Sequence, residues 1–336
     1  MSDSTVEIHF VNAALHGMRQ HGRDVAAVLA QAGISPQWLD EPRARVSFEQ
    51  FSRLVQAIWV HLDDELSGFG TAPIRCGSFA LMCESMLRRR TLREAMQRMV
   101  QVYRIVQSNR LLDLRHEADR SLLIVDACDL DDPQHFIVES LLMIWHRLAS
   151  WVIGRRITLE EVRLGYAAPR HAAAYGLLFD APQRFDSDCN ALVIASRYMD
   201  KPVQQDEHSL RSFLQATPMP LLKRPDRGHT VAARVRLLWA KRGSELGLDE
   251  VARELAMSAM TLRRRLHDEG ESFQHLKDQW RRDLAIRLLA HGKAPLEEVA
   301  ERTGFSEPSA LVRAFKKWTG LTPAAYRSSA LRPPAQ

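Results

Sequence analysis

Leu296-Glu297-Glu298-Val299-Ala300-Glu301-Arg302-Thr303-Gly304-Phe305-Ser306-Glu307-Pro308-Ser309-Ala310-Leu311-Val312-Arg313-Ala314-Phe315 reads as two short amphipathic helices joined by a tight turn. An earlier stretch carries the same pattern. Leu248-Asp249-Glu250-Val251-Ala252 matches Leu296-Glu297-Glu298-Val299-Ala300 at an offset of 48, and Met257-Ser258 matches Phe305-Ser306 at the same offset. Leu262-Arg263-Arg264-Arg265-Leu266 then matches Leu311-Val312-Arg313-Ala314-Phe315 at an offset of 49, one residue having entered at the turn. Each copy predicts a helix, a turn, a serine cap (Ser258 or Ser306) and a second helix: a helix-turn-helix.

The spacing has a mechanical reason. Val251 and Ala252 face inward, and the small alanine lets the two helices cross closely. Leu262 with Leu266, and Leu311 with Phe315, are i, i+4 pairs that bury the inner side of each second helix. Residues between them are displaced around the helix, so Arg263, Arg264, Val312 and Arg313 face outward or sit at the margin. A second helix that shows its N-terminal half to solvent is the element that lies in a DNA major groove. There an arginine can bond guanine O6 and N7 together.

The helix between the copies sets their separation. Residues 273–291 place Phe273, Leu276, Trp280, Leu284 and Leu288 on one face, with Gly292 as the stop. That length is roughly 28 Å at ~1.5 Å per residue, approaching the ~34 Å of a duplex turn. One monomer could therefore reach two successive major grooves. Other punctuation fits an all-helical domain. Thr230 caps a helix carrying Val231, Val235, Leu238 and Trp239, Gly243 ends it, Gly270 stops the helix after Ser258, Pro295 opens another, and Thr322-Pro323 starts the last. Residues 328–336 lack apolar periodicity and are expected to fray. Ala256 takes the turn position held by Gly304 in the second copy, which is expected to be a mild change. The plainer alternative is a helical bundle whose repeat reflects packing alone; the joint recurrence of cap, apolar pairs and exposed arginines argues against it.

Charge follows the same division. From residue 223 onward there are 22 Lys+Arg and 14 Asp+Glu, a net of +8; the preceding 222 residues hold 24 and 27, a net of −3. A basic third on a slightly acidic body suits one domain meeting a polyanion. Residues 216–228, with three prolines and a glycine, read as an interdomain linker, leaving 1–215 and 229–327 as domains. Within 1–215, residues 48–62, 91–106 and 136–154 have helical periodicity. Residues 111–115 and 122–126 read as a hairpin, and 161–166 and 191–194 as further strands. The expected fold class is an α+β N-terminal domain followed by an all-α domain of two helix-turn-helix units on a linker helix. No uncharged apolar run reaches membrane-spanning length, no secretory leader is legible, and the four cysteines form no C-x-x-C pair. A cytoplasmic protein with no membrane partner, no metal and no cofactor is expected.

The tract 304–323, closing with Tyr326-Arg327, closely resembles the signature of AraC/XylS-type transcription regulators. The likeness covers about residues 229–327. It implies a module of two helix-turn-helix units bound to promoter DNA, with RNA polymerase as a further partner and activation as the mode. Carried over by position, it implies Met260, Arg263 and Arg264 as base-reading residues in the first unit. Pro308, Ser309, Val312 and Arg313 take those places in the second. Arg313 pairing with an acid such as Glu301 is the structural alternative. Pro308 and Val312 depart from the polar residues often found there, so the second unit reads thymine methyls or shape, or mainly holds the backbone. Lys277, Lys316 and Lys317 are candidates for phosphate contacts, the alternative being solvated lysines.

Thr91-Leu92-Arg93-Glu94-Ala95 and the run 165–192, with Tyr166, His171, Tyr175, Phe179, Phe185 and Asn190, resemble the N-terminal domain labelled arabinose-binding in regulators of the ornithine-utilisation type. This second likeness covers about residues 20–210. It implies a small-molecule sensing domain that often also dimerises, so a homodimer is left open. Apolar walls with a few polar groups make a pocket. Tyr103, Cys128, Trp145, His146, Trp151 and His171 are the candidate effector contacts, each with the alternative of being ordinary core. No Gly-rich phosphate loop and no nucleophile motif is present, so an enzyme is not expected. A ligand-free regulator whose N-terminal domain binds a partner protein is the alternative function.

Overall fold

The computed structural model describes residues 5–106, 111–169, 172, 175, 179, 181–218, 221, 230–243, 246–290 and 294–330. In chain order the first elements are β1 (Thr5–Glu7), α1 (Ile8–Ala14), α2 (His16–Gln20), α3 (Val25–Ala32), a 3-10 turn (Pro36–Asp40), β2 (Arg45–Ser47), α4 (Phe48–Leu62), α5 (Ser78–Leu87) and α6 (Leu92–Val106). Then come β3 (Leu112–His116), β4 (Arg120–Val125), α7 (Phe136–Val152), β5 (Leu159–Arg163), β6 (Gln183–Arg184), β7 (Asn190–Ala195), α8 (Ser196–Met199) and α9 (Glu207–Ala216). The rest is helical: α10 (Val231–Arg242), α11 (Leu248–Glu254), α12 (Ala259–Asp268), α13 (Phe273–Ala290), α14 (Leu296–Arg302), α15 (Pro308–Thr319) and α16 (Pro323–Ala330). An α+β N-terminal part followed by an all-α helix-turn-helix domain is thus the fold.

The chain divides into two compact units, and the division differs from the one expected. One unit gathers Met1–Asn12, Leu29–Phe51 and Arg224–Gln336; the other gathers Ala13–Val28 and Ser52–Lys223. The later boundary falls inside the expected 216–228 linker, most of which lies outside the described residues. The two N-terminal pieces were expected in the sensing domain and instead join the helix-turn-helix unit. The reason is packing that no local pattern reveals, set out below.

In the second unit the sheet order is β3-β4-β7-β5-β6, antiparallel except for β5 with β6. The hairpin pairs Leu112 with Val125 and Arg115 with Leu122. Central strands β4 and β7 are buried along five of their six positions, which explains why their residues are apolar on both faces rather than alternating. Helix α7 packs against both strands and buries nearly its whole circumference. Asp132 starts it, its Oδ2 accepting from the Ile137 and Val138 N–H groups at 2.9 and 3.0 Å.

In the helix-turn-helix unit the expected punctuation largely holds. Thr230 and Ser258 cap α10 and α12, accepting from Ala233 N–H and Thr261 N–H at 3.2 and 3.1 Å. Three expectations change. Ser306 is not the cap of α15; Glu307 is, with Pro308 at the first helical position. Proline there presets φ and lacks the N–H that a serine would have satisfied, so the start moves by one residue and absorbs the inserted position. Residues 328–330 do not fray but continue α16, while 331–336 lie outside the described residues. Ala256 is not a mild replacement for Gly304: its φ is +55°, against +77° at Gly304. Both residues occupy the left-handed position just past a helix, where a Cβ is disfavoured.

Candidate nucleic-acid interface

Each helix-turn-helix grows from the same local chemistry. Asp249 and Glu250 in the first turn of α11, and Glu297 and Glu298 in that of α14, sit where carboxylates favour the helix dipole. The turn closes identically in both copies. Met257 N–H donates to Ala252 C=O and Phe305 N–H to Ala300 C=O, each at 2.9 Å. Ala256 N–H donates to Arg253 C=O at 3.0 Å and Gly304 N–H to Glu301 C=O at 2.9 Å. This paired pattern with a left-handed residue ends a helix sharply and lets the next one leave at an angle.

The inner faces are dry. Val251, Ala252, Leu262 and Leu266 are buried with Val231, Val235, Trp239, Leu276, Trp280 and Leu284 in one cluster. Val299, Ala300, Leu311 and Phe315 are buried at the matching places of the second unit. Burying a leucine or phenylalanine of this kind contributes about 1.5–3 kcal/mol, so the orientation of α12 and α15 about their own axes is firmly set. At ~100° per residue, Met260 and Arg264 point away from the Leu262–Leu266 side and Arg263 sits at its edge. All three are exposed, Met260 by 82%. On α15 the equivalent outer positions are Ser309 and Arg313, both exposed, while Pro308 and Val312 at the margins are half-buried. Arg313 forms no ion pair with Glu301 or any other acid among the described residues, so its guanidinium faces solvent.

The lysines divide. Lys316 and Lys317 are exposed in the last turn of α15. Lys277 is half-buried on α13, its Nζ 3.5 Å from the Leu246 carbonyl oxygen. Sequence reasoning missed Arg281. Its guanidinium donates to the Gly304 carbonyl at 2.8 Å and lies 4.9 Å from the Phe305 ring centre, fastening α13 to the turn of the second unit.

In the other unit the structure brings two of the candidate effector contacts together. Tyr103 and Trp145 meet edge-on at 5.2 Å and are buried. His146 is buried and its Nε2 hydrogen-bonds to the Ile157 carbonyl at 2.8 Å. Trp151 stacks on Phe213 at 4.3 Å, Cys128 is exposed, and His171 lies outside the described residues. A different cluster stands out, around a residue not singled out from sequence. Glu139, 4% exposed on α7, accepts a hydrogen bond from the Tyr175 hydroxyl, and the Tyr166 hydroxyl lies 3.5 Å from the same oxygen. His135 stacks on Tyr166 at 3.7 Å. Burial pushes the Glu139 carboxyl up to about 8 and Asp132 up to about 6. The signal was a lone glutamate inside the apolar run 136–154.

Comparison with known proteins agrees with this geometry. Residues 22–203 match the family model of the arabinose-binding domain of AraC transcription regulators, and residues 251–329 match that of a helix-turn-helix domain. The chain is 28% identical over 329 residues to the ornithine utilization regulator of Pseudomonas aeruginosa, covering 96% of each. It is 40% identical over 80 residues, 24% of each chain, to the regulator VirS of Mycobacterium tuberculosis. Among solved structures, the DNA-binding domain of AdpA in complex with a target DNA is 33% identical, with a TM-score of 0.28, covering 32% of this chain and 99% of that one. The regulator CdpR from Pseudomonas aeruginosa is 20% identical, with a TM-score of 0.32, covering 94% and 97%. These domains and relatives are those of a DNA-binding transcription regulator, not of an enzyme, and among the described residues no helix is long and apolar enough to cross a membrane. With a regulator domain matched over more than half its length and a paired helix-turn-helix after it, the chain belongs to the AraC family of transcription regulators.

Proposed function

We propose that the chain is an effector-responsive activator that acts in the cytoplasm, reading two adjacent half-sites of a promoter and recruiting RNA polymerase there. One observation carries the reading: α12 and α15 belong to one compact unit and show chemically suited side chains at equivalent outer positions. In this assignment Arg263, Arg264 and Arg313 bond base edges, Met260 and Val312 meet thymine methyls, and Pro308 and Ser309 lie against the backbone. Lys316 and Lys317 contact phosphates and set register rather than sequence. Lys277 is assigned a phosphate contact through its ammonium edge, sharing its protons with the Leu246 carbonyl.

The 22–203 domain is assigned the sensing role, and the name of the ornithine utilization regulator makes ornithine and related amino acids the first effectors to try. Effector and DNA must then be coupled reciprocally, each raising the affinity for the other by the same factor. The test uses the full chain: mapping of bound genomic sites, then titration of a bound promoter fragment against random duplex at fixed salt. A clear preference for the promoter fragment is expected, and equal affinity for both would remove sequence-specific regulation. Thermal shift with ornithine and other amino acids tests sensing, since a ligand at 100 times its dissociation constant adds about 2.7 kcal/mol.

A further inference from the structure

The repeat poses a packing problem that its two halves solve differently. Two short helices cannot close a core, so each unit needs a third wall. In the first unit α10 supplies it, through Val231, Val235 and Trp239 in the same cluster as Leu262 and Leu266. Glu269, past the end of α12, accepts from the first N–H groups of α10, Val231 at 2.6 Å and Ala232 at 2.9 Å. In the second unit α13 again lies alongside, and the place of α10 falls to the eight-residue α16, whose Tyr326 ring meets Phe315 edge-on at 5.6 Å.

Behind Tyr326 stands the amino-terminal segment. Trp38, in the 3-10 turn, stacks on Tyr326 at 4.3 Å with an interplanar angle of 17°. Trp38, Tyr326 and Phe315 are each at most 1% exposed, so three rings run in a buried line from the segment to the inner face of α15. The Tyr326 hydroxyl donates to the Arg45 carbonyl and lies 3.3 Å from Gln50 Oε1, at 3.1 Å from the former. The same segment grips α13: Thr5 Oγ1 donates to Asp283 Oδ1 at 2.7 Å, and Arg45 Nε donates to Thr5 Oγ1 at 2.7 Å. At Gly320, the left-handed C-cap of α15, an added Cβ would fall 2.3 Å from the carboxyl carbon of Glu41.

We propose that Trp38, with Arg45 and Gln50, is a positioning residue for DNA recognition. Residues 5–12 and 29–51 are the third wall of the second helix-turn-helix and hold α15 in fixed relation to α12. The inference rests on α15 being a reading helix. Two readers on one rigid body present the second at high effective concentration once the first is bound. Loosening the wall spreads the orientations of α15 and weakens the second half-site alone, because α12 has its own wall in α10.

The test uses the full chain and a duplex that it selects from a random pool. Derivatives scrambled in either half are titrated by fluorescence anisotropy at fixed salt, the halves being assigned by their response to Arg263→Ala and Arg313→Ala. Tyr326→Phe removes only a hydroxyl, Trp38→Ala removes the stacked ring, and Trp38→Phe keeps a ring. In Tyr326→Phe and Trp38→Ala the affinity gained from the α15 half is expected to fall about fivefold or more. The gain from the α12 half stays, and Trp38→Phe recovers most of the loss. Unchanged gains in both halves, or equal losses in both, overturn the positioning role. Loss with Arg313→Ala but not with the wall variants overturns the wall alone, and no response to Arg313→Ala overturns α15 as a reader together with its wall.

Discussion

Ala256 is where the repeat is least at ease. It follows α11 with φ of +55°, a conformation that costs a non-glycine residue roughly 1–2 kcal/mol through its Cβ. The surrounding hydrogen bonds, Met257 to Ala252 and Ala256 to Arg253, hold it there, and the equivalent turn in the second copy uses Gly304. Replacing Ala256 by glycine removes the steric cost and returns about 0.5–1 kcal/mol as extra unfolded-chain entropy. The net expectation is a gain of about 0.5–1 kcal/mol in the first helix-turn-helix. For a unit of this size 1 kcal/mol is worth about 2–4 °C in Tm. Amide hydrogen exchange reads the region directly, and α11 and α12 amides should exchange about two- to fivefold more slowly in Ala256→Gly. The reciprocal change, Gly304→Ala, should cost about 0.5–1 kcal/mol in the second unit, the steric cost being partly offset by the lower entropy of the unfolded chain. Exchange that is unchanged or faster in Ala256→Gly, with Gly304→Ala harmless, would show that neither turn is held left-handed.

The other expectations follow from exposure and burial. Arg263→Ala and Arg264→Ala should each weaken binding to a specific site by about 1–3 kcal/mol while leaving random duplex nearly unaffected; equal losses on both duplexes would place these side chains on phosphates. Lys316→Gln with Lys317→Gln should weaken specific and random duplexes alike and flatten the salt dependence by about one unit of slope per lysine, so an unchanged slope would assign both to solvent. Glu139 holds its proton more tightly folded than unfolded, because burial raises its carboxyl from 4.5 to about 8. Its contribution is therefore complete below pH 4.5 and is lost progressively as pH rises from there through 8, by as much as about 5 kcal/mol. Glu139→Gln should flatten that fall in stability across pH 5–8, and a stability profile identical to that of the native chain would contradict it.

The two halves of the candidate interface were legible because their signals are local. The i, i+4 pairs Leu262–Leu266 and Leu311–Phe315 fix which side of each second helix is buried, and by rotation which side is not. The left-handed turn at Ala256 was misjudged because alanine carries no marker of backbone angle; only the repeat partner Gly304 hints at it. Pro308 was legible as a residue and its consequence was not: by opening α15 at the first helical position it displaces the cap from Ser306 to Glu307. In the sensing domain, periodicity located α7 and the hairpin, while the candidate effector contacts Tyr103, Trp145 and His146 prove to be buried side chains of α6 and α7. Apolar and aromatic side chains at helical spacing look the same whether they line a cavity or fill a core.

By itself the sequence determined the α+β and all-α succession, the repeated helix-turn-helix and the outward positions of its arginines, since each depends on contacts within a few turns. Tertiary structure alone decided that residues 5–12 and 29–51 complete the second DNA-binding unit, and that Glu139 lies beside Tyr166 and Tyr175. The physical reason is distance along the chain: Arg45 and Tyr326 are 281 residues apart, and a stacked ring or a shared hydroxyl leaves no periodic trace in either segment.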